Sequence, residues 1–590
     1  MSIKRPTSDN LSQSNLFSIP PPARTKYLRR SLDMTLTKNP EKTLRKMNLK
    51  RIHIRKLADK PSYYPEELGK RYRICLKKKL FKTLAHAQIY SFNYLYGLED
   101  LKNCKNLLKY TWSASEDCSD SYLINYFKRI PSRNLEKVSF CQGLYDLFDY
   151  NSIKKLYKQI GSLPRLKSFQ TIRDPNPNKT NEDHQTLHRY LARLPNVQNF
   201  DCFLAQSDDR EILRDLLDKG KSYEKVTRLR MGDPLFYRFQ ELFCNLRQLD
   251  IVAQRHLGHK ISPDHGPSIT QSFEELPHLE ALSLQIDSFL QGTNFLFEGL
   301  LKLPQLTSFS LQTNCLRPNG WNNLTQFMKN QRNLSHLSLE IPYCDETQDS
   351  LLENLLQSLS QKPKLQYLSL NYVSERLFPV ISNGMKRIVG TDQIKSFRCH
   401  LDAKRFCLPL DQSSLEGYCE FLTRNQKTLS HLLMTIPLLH GLNDHFAKVI
   451  SQLKQIKTLE LMILVNETSL DFVKEPLSLT FMLKNLGGLD SLTIDFPTSP
   501  QHKGQVIQLF KILHYLKSLR TLQLQLHELS FDVFSEDEVK IICTILNQQK
   551  SLFFALSNPG PFDNIDNMRK ISFALWSLYE RHSVAVNLSF

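Results

Sequence analysis

One pattern constrains this chain more than any other. L-x-x-L-x-x-L-x-L returns along most of its 590 residues. It is clearest at Leu276, Leu279, Leu282 and Leu284, and next at Leu303, Leu306, Phe309 and Leu311. Further copies run through Leu334/Leu337/Leu339, Leu365/Leu368/Leu370, Leu453/Ile456/Leu459/Leu461, Leu486/Leu489/Leu492/Ile494 and Leu516/Leu519/Leu522/Leu524. With the second apolar position as anchor, the series is Leu107, Leu135, Leu166, Val197, Val226, Leu246, Leu279, Leu306, Leu334, Leu365, Ile394, Leu429, Ile456, Leu489, Leu519, Leu552. The mean step is about 30 residues. That is longer than the roughly 20–29 residues of short repeats.

Each unit has two halves. The closing L-x-L alternates, which is the period of a strand with one buried face. Upstream, Leu352, Leu355, Leu356 and Leu359 fall at helical spacing, as do Ile153, Leu156, Tyr157 and Ile160. Pro164, Pro195, Pro277 and Pro304 stand between helix and strand, where a helix must stop. Ser535-Glu536-Asp537-Glu538 has the form of a capping box opening a helix before Leu552. The step from Val226 to Leu246 is too short for a full helix, and that from Ile394 to Leu429 has room for an inserted loop.

Strand, loop, helix and loop therefore repeat. Parallel strands stack about 4.8 Å apart and helices need about 10 Å, so the stack bends with its strands inside. Sixteen anchors give sixteen strands, and the terminal Val584–Phe590 has the alternation of one more. The fold class expected is α/β, a curved solenoid with a parallel concave sheet and convex helices.

This pattern resembles the leucine-rich-repeat family, in its long-repeat, ribonuclease-inhibitor-like branch. Asn314 occupies the family's asparagine position after a strand, and Asp287 stands there in another repeat. The resemblance implies a scaffold that binds a macromolecule through its concave face. Alternating strand positions place Ser283, Ser310, Ser338 and Ser369 on that face as a serine ladder, with Gln285, Gln312, Glu340, Asn371 and His400 beside it. Thr435, Glu460 and Asp495 continue the same platform. Relatives that activate small GTPases typically carry an acidic tail, which the Val584–Phe590 segment lacks. A ubiquitin-ligase substrate receptor is another reading; it needs a helical box before the repeats, and Pro65-Glu66-Glu67-Leu68 has the right place.

Charge is unevenly placed. The net charge is +19, and almost all of it falls in the first 90 residues. Arg29 and Arg30, then Arg45, Lys46, Lys50, Arg51, Arg55 and Lys56, then Lys77, Lys78 and Lys79 form three basic clusters. Residues 1–60, rich in Ser, Pro, Asn and Thr, read as a disordered basic extension. Residues 61–100 read as a helical N-terminal cap and 101–590 as the solenoid. A basic arm of this kind is a nucleic-acid contact or a nuclear import signal. The second function reading is accordingly a nucleic-acid or ribonucleoprotein component held by this arm.

Other classes find little support. The 19 glycines form neither GxxxxGK[ST] nor GxGxxG, and neither GxSxG nor HExxH occurs. No enzyme activity, cofactor or small-molecule substrate is expected. Twelve cysteines without a CxxC pair, Cys202 and Cys399 at core positions among them, suit a reducing compartment. His256, His259 and His265 are the nearest approach to metal-ligand spacing, and no metal is expected there. No apolar run is long enough to span a bilayer, and the start lacks a secretory signal. An intracellular protein, cytoplasmic or nuclear, is expected, with a protein partner.

Overall fold

Leucines at alternate positions make strands only if something covers them. In this protein helices do so, and the computed structural model sets both in one repeating order. It describes residues 51–54, 86–90, 109–113, 134–140, most of 155–171, 197–202, 223–231, 243–253, most of 273–286, 293–303, 306–313, 316–341, 348–360, 362–390, 393–401, 413–437, 444–464, 477–497, 503–527, 535–548, 553–557 and 586–589. The architecture is an α/β solenoid around one long parallel sheet.

Nineteen strands belong to that sheet among the described residues. They are β1 (Arg51–Ile54), β2 (His86–Tyr90), β3 (Lys109–Ser113), β4 (Lys137–Phe140), β5 (Ser168–Thr171), β6 (Asn199–Cys202), β7 (Arg228–Met231), β8 (Gln248–Ala253), β9 (Ala281–Ile286), β10 (Ser308–Thr313), β11 (His336–Ile341), β12 (Tyr367–Tyr372), β13 (Ser396–Leu401), β14 (His431–Pro437), β15 (Thr458–Leu464), β16 (Ser491–Pro497), β17 (Thr521–His527), β18 (Phe553–Ser557) and β19 (Val586–Ser589). Each pairs in parallel with the next in the chain, from β1 to β19. Strands β3 to β18 follow the sixteen anchors, and β19 is the expected final strand.

Strands β1 and β2 have no leucine anchor. They stand within the stretches read as a disordered extension and a helical cap; the rest of both stretches lies outside the described residues. So do all the basic-cluster residues except Arg51, as well as Asn314, Asp287 and the three histidines His256, His259 and His265. Strand β7 leads to β8 across the shortest step, with no helix described between them.

The helices lie between strands: α1 (Thr293–Leu300), α2 (Pro318–Asn330), α3 (Asp349–Gln357), α4 (Leu377–Arg387), α5 (Ser413–Arg424), α6 (Asp444–Ser451), α7 (Leu477–Lys484), α8 (Lys503–Ile512) and α9 (Glu536–Gln548). Pro318 opens α2, where its fixed φ suits the first helical turn. Trp321, Leu324, Phe327 and Met328 make the buried stripe of α2. In α3, Leu352, Leu355 and Leu356 do so, with Leu359 following. The expected capping box is present at α9. The Ser535 amide donates to Glu538 Oε2 at 2.7 Å, and the Glu538 amide donates back to Ser535 Oγ at 3.4 Å. None of the described helices is long and apolar enough to cross a membrane.

The core is a ribbon between the sheet and the helices. Every described anchor from Leu135 to Leu519 is buried, none more than 6 % exposed. Aromatic pairs tie strand to helix, Phe309 on Phe327 at 4.9 Å and Phe397 on Phe421 at 4.8 Å. Successive helices pack closely where glycine allows it. A Cβ at Gly417 of α5 would fall 1.8 Å from the Ser382 carbonyl oxygen of α4.

Backbone bonding also repeats. The residue after each anchor accepts two amides from the next unit. Glu136 O takes Lys167 and Ser168, Lys167 O takes Gln198 and Asn199, and the row continues to Asp490 O, which takes Arg520 and Thr521. Side chains add links between units. Gln331 Oε1 accepts the Leu306 amide at 2.7 Å, and Asn425 Oδ1 accepts the Ile394 amide at 3.2 Å. The Lys362 ammonium donates to the Met328 and Lys329 carbonyls that end α2. It is 3 % exposed, and burial, then the Arg332 charge, lowers its pKa to about 8.

Candidate functional site

Residues that alternate with the buried leucines form the other face of the sheet. From β9 to β13 the burial pattern is strict: leucine, phenylalanine or cysteine positions are buried and the residues between them half-buried. Parallel pairing then sets equivalent residues side by side. The serine ladder is real in register: Ser283 pairs with Ser310, Ser310 with Ser338, and Ser338 with Ser369. The column continues through Arg398, Leu433, Glu460, Thr493 and Gln523. Beside it Gln285, Gln312, Glu340, Asn371 and His400 share a second column.

A third column was missed in the sequence. Ala281, Ser308, His336, Tyr367, Ser396, His431, Thr458, Ser491 and Thr521 sit one step before the first strand leucine. His336 and Tyr367 stack across neighbouring strands at 4.1 Å, their planes within 11°. Burial lowers the pKa of His336 and of His431, so both imidazoles favour the neutral form. The alternation that marked the serines would also have marked this position, had the strand been started one residue pair earlier.

The face changes at β14. Thr435 is 1 % exposed. Its hydroxyl accepts the Leu401 amide at 3.1 Å and lies 3.0 Å from His400 Nδ1. Thr435 thus supports His400 from within the sheet and does not extend the platform. Leu433 and Met462 then bring apolar surface among the polar columns.

Beyond them Glu460 stands between Arg398 and Asp495. Burial raises its pKa above the usual carboxylate range, Arg398 draws it back and Asp495 adds to the rise. Two atoms on this part of the face are buried without a hydrogen-bond partner: Asn371 Oδ1 and Arg398 Nε. Buried polar atoms are nearly always paired, so these two are where bonding capacity is left over.

Charge differs at the other end. The column that holds Lys137 reads Arg51, His86, Lys109, Lys137, Ser168, Asn199, Arg228. Arg228 donates to Asp250 Oδ2 at 2.9 Å through Nη2, and Gln248 Nε2 donates to Oδ1 at 3.3 Å. Asp250 is thereby satisfied although only 8 % exposed.

The helix side carries charge pairs of another kind. Arg387 meets Glu353 at 2.8 Å and Lys386 meets Glu420 at 3.1 Å. Such exposed pairs contribute less than about 1 kcal/mol each. Two buried thiols, Cys399 and Cys419, have their pKa raised to about 12, chiefly by burial, which suits packing and not nucleophilic chemistry. Among the described residues no group of three or more His, Cys, Asp or Glu could hold a metal ion. Compared with protein-family models and with curated proteins, the sequence matches none.

Proposed function

We propose that this chain is a leucine-rich-repeat protein of the long-repeat, ribonuclease-inhibitor-like type, and that it binds a protein partner across the open face of its sheet without catalysing a reaction. The repeat of about 30 residues and its strand-helix unit support the family. In such a solenoid the sheet is the concave side, and an extended concave surface is what repeat proteins use to bind.

The observation that carries the binding reading is the unused bonding capacity at the centre of the face. Asn371 Oδ1 and Arg398 Nε are buried and unpaired on neighbouring strands. They adjoin the His336–Tyr367 stack and the apolar Leu433 and Met462. Aromatic and arginine anchors among half-buried polar groups are the composition of an interface centre. A partner that completes these bonds gains more than the single bonds are worth, because leaving them unmade costs roughly 1–3 kcal/mol each.

The test uses the full chain as bait in the cell of origin. A variant with Ser310→Arg, Ser338→Arg and Ser369→Arg fills the serine ladder with bulk and charge. Its control carries Glu353→Lys and Lys448→Glu on the helix side. Partners kept by the control and lost by the ladder variant support the reading; a partner set retained by the ladder variant overturns it.

A further inference from the structure

All the strands run parallel, so every strand start, and the helix end that leads to it, lies along one edge of the solenoid. Charge gathers on that edge in the seven units from α2 to β17. There the stretches from the last four helical residues to the residue after the anchor hold sixteen Lys and Arg against two Asp. Fourteen of these cations are exposed. They recur at set positions: Lys427, Lys454 and Lys517 two residues before the anchor, and Lys395, Lys457 and Arg520 one residue after it. The helix ends supply about −0.5 charge each, far short of that surplus. Several cations bond neutral groups, which leaves their charge in place. Lys364 donates to Asn333 Oδ1, Lys454 to the Asn485 carbonyl and Lys457 to the Gly488 carbonyl. The run also has a border. On the same edge before α2, Lys302 and Arg247 pair with Glu274 and Glu280.

We propose that this edge docks single-stranded nucleic acid, with the phosphates lying along the cations. Composition favours that over an acidic protein. Twelve of the sixteen cations are Lys; lysine is depleted at protein interfaces, yet serves phosphate well as a point charge. Two rings favour a single strand over a duplex. Phe481 and Tyr515, in neighbouring units of this edge, are 51 % and 48 % exposed, and Lys484 Nζ lies 5.0 Å over the Tyr515 ring. Unpaired bases stack on exposed rings set beside cations, which paired bases inside a duplex do not reach. The exposed amides of Asn330, Gln393, Gln452 and Gln455 stand among the cations. Amides both donate and accept, as base edges and sugar hydroxyls do, and find no such partner among lipid chains. The edge is separate from the sheet face proposed above to bind protein, so the two readings fail independently.

The experiment is fluorescence anisotropy on the full-length protein with a labelled mixed-sequence RNA of about 20 nucleotides, from about 50 to about 200 mM salt. The edge variant is Lys427→Gln/Lys454→Gln/Lys457→Gln/Lys517→Gln. Its control, Arg165→Gln/Lys167→Gln/Lys225→Gln/Arg247→Gln, loses equal charge on the same edge outside the run. The edge variant should bind at least about tenfold more weakly, and its salt slope should fall by about 3, near 0.7 per lost phosphate contact. Phe481→Ala/Tyr515→Ala should bind several-fold more weakly with the salt slope unchanged. Unchanged binding by the edge variant, or an equal loss in the control, overturns the proposal. So does equal competition by poly-glutamate, by a duplex or by phosphatidylserine vesicles, each of which would assign the edge to its own class. To guard against misfolding, 4-thiouridine crosslinks on the unaltered chain should map between Phe327 and Arg520; crosslinks confined elsewhere overturn it too.

Discussion

Strands β4 to β7 have four residues each, while β11 to β16 have six or seven. The two regions share a core rule, a buried apolar residue at each anchor, yet they differ in how much sheet each unit adds. A six-residue strand holds three buried and three half-buried positions. Charge leans the same way: the short strands carry Lys137, Arg228 and Arg230 against Asp201, and the long ones Glu340, Glu460 and Asp495 against Arg398. One repeat can thus keep its core while its strand length and the residues on its face change.

The same substitution made in both regions should have unequal effects. Leu368 and Leu229 are equivalent strand residues, 1 % and 0 % exposed. Leu368→Ala should cost about 4 kcal/mol and Leu229→Ala about 2 kcal/mol, the shorter unit having less rigid surroundings to leave a cavity in. Denaturant titration read by segment-resolved hydrogen exchange measures both; equal losses would show that strand length carries no energetic weight. Gly417→Ala tests the helix layer of the long-strand region. With a Cβ 1.8 Å from a backbone oxygen, it should lose about 3 kcal/mol. Gly504→Ala, where nothing lies within 4 Å, should be neutral or slightly stabilising.

Lys362 gives a pH signature confined to the long-strand region. Its folded pKa is lowered to about 8, below that of the unfolded chain, so the unfolded state binds more protons between the two values. Stability should therefore rise as pH increases from about 8 to about 10, by an amount of order 2 kcal/mol. Thermal melts of the protein and of Lys362→Met across that range check it; parallel curves would assign the rise to other groups. The smallest effect is expected at the last helix. Ser535→Ala removes one half of the α9 capping box and should cost about 1 kcal/mol, seen as faster exchange of the first α9 amides.

The sequence made the spine of this molecule readable because leucine spacing is set by burial, and burial is what a repeat cannot vary. Anchors chosen only by period, such as Val226 and Ile394, are 1 % and 0 % exposed. The serine ladder followed from the same arithmetic. What escaped notice depends on contacts between units. Thr435 looks like any small polar face residue until the Leu401 amide is seen to need an acceptor. Gln331 and Asn425 are unremarkable helix-end residues until the amides of Leu306 and Ile394 are followed. Strands β1 and β2 carry isoleucine and alanine alternation, Ile52 with Ile54 and Ala87 with Ile89, but no upstream leucine to mark them.

The row of carbonyls that each accept two amides has a direction. Every donor belongs to the later unit and every acceptor to the earlier one, from Glu136 to Thr521. Within a strand pair, opposed peptide dipoles largely cancel; in this row they add, as they do along a helix. This row of peptides is therefore polar along its length, positive toward β4 and negative toward β17. Its sense is that of an α-helix, whose aligned peptides leave partial positive charge at one end and partial negative charge at the other.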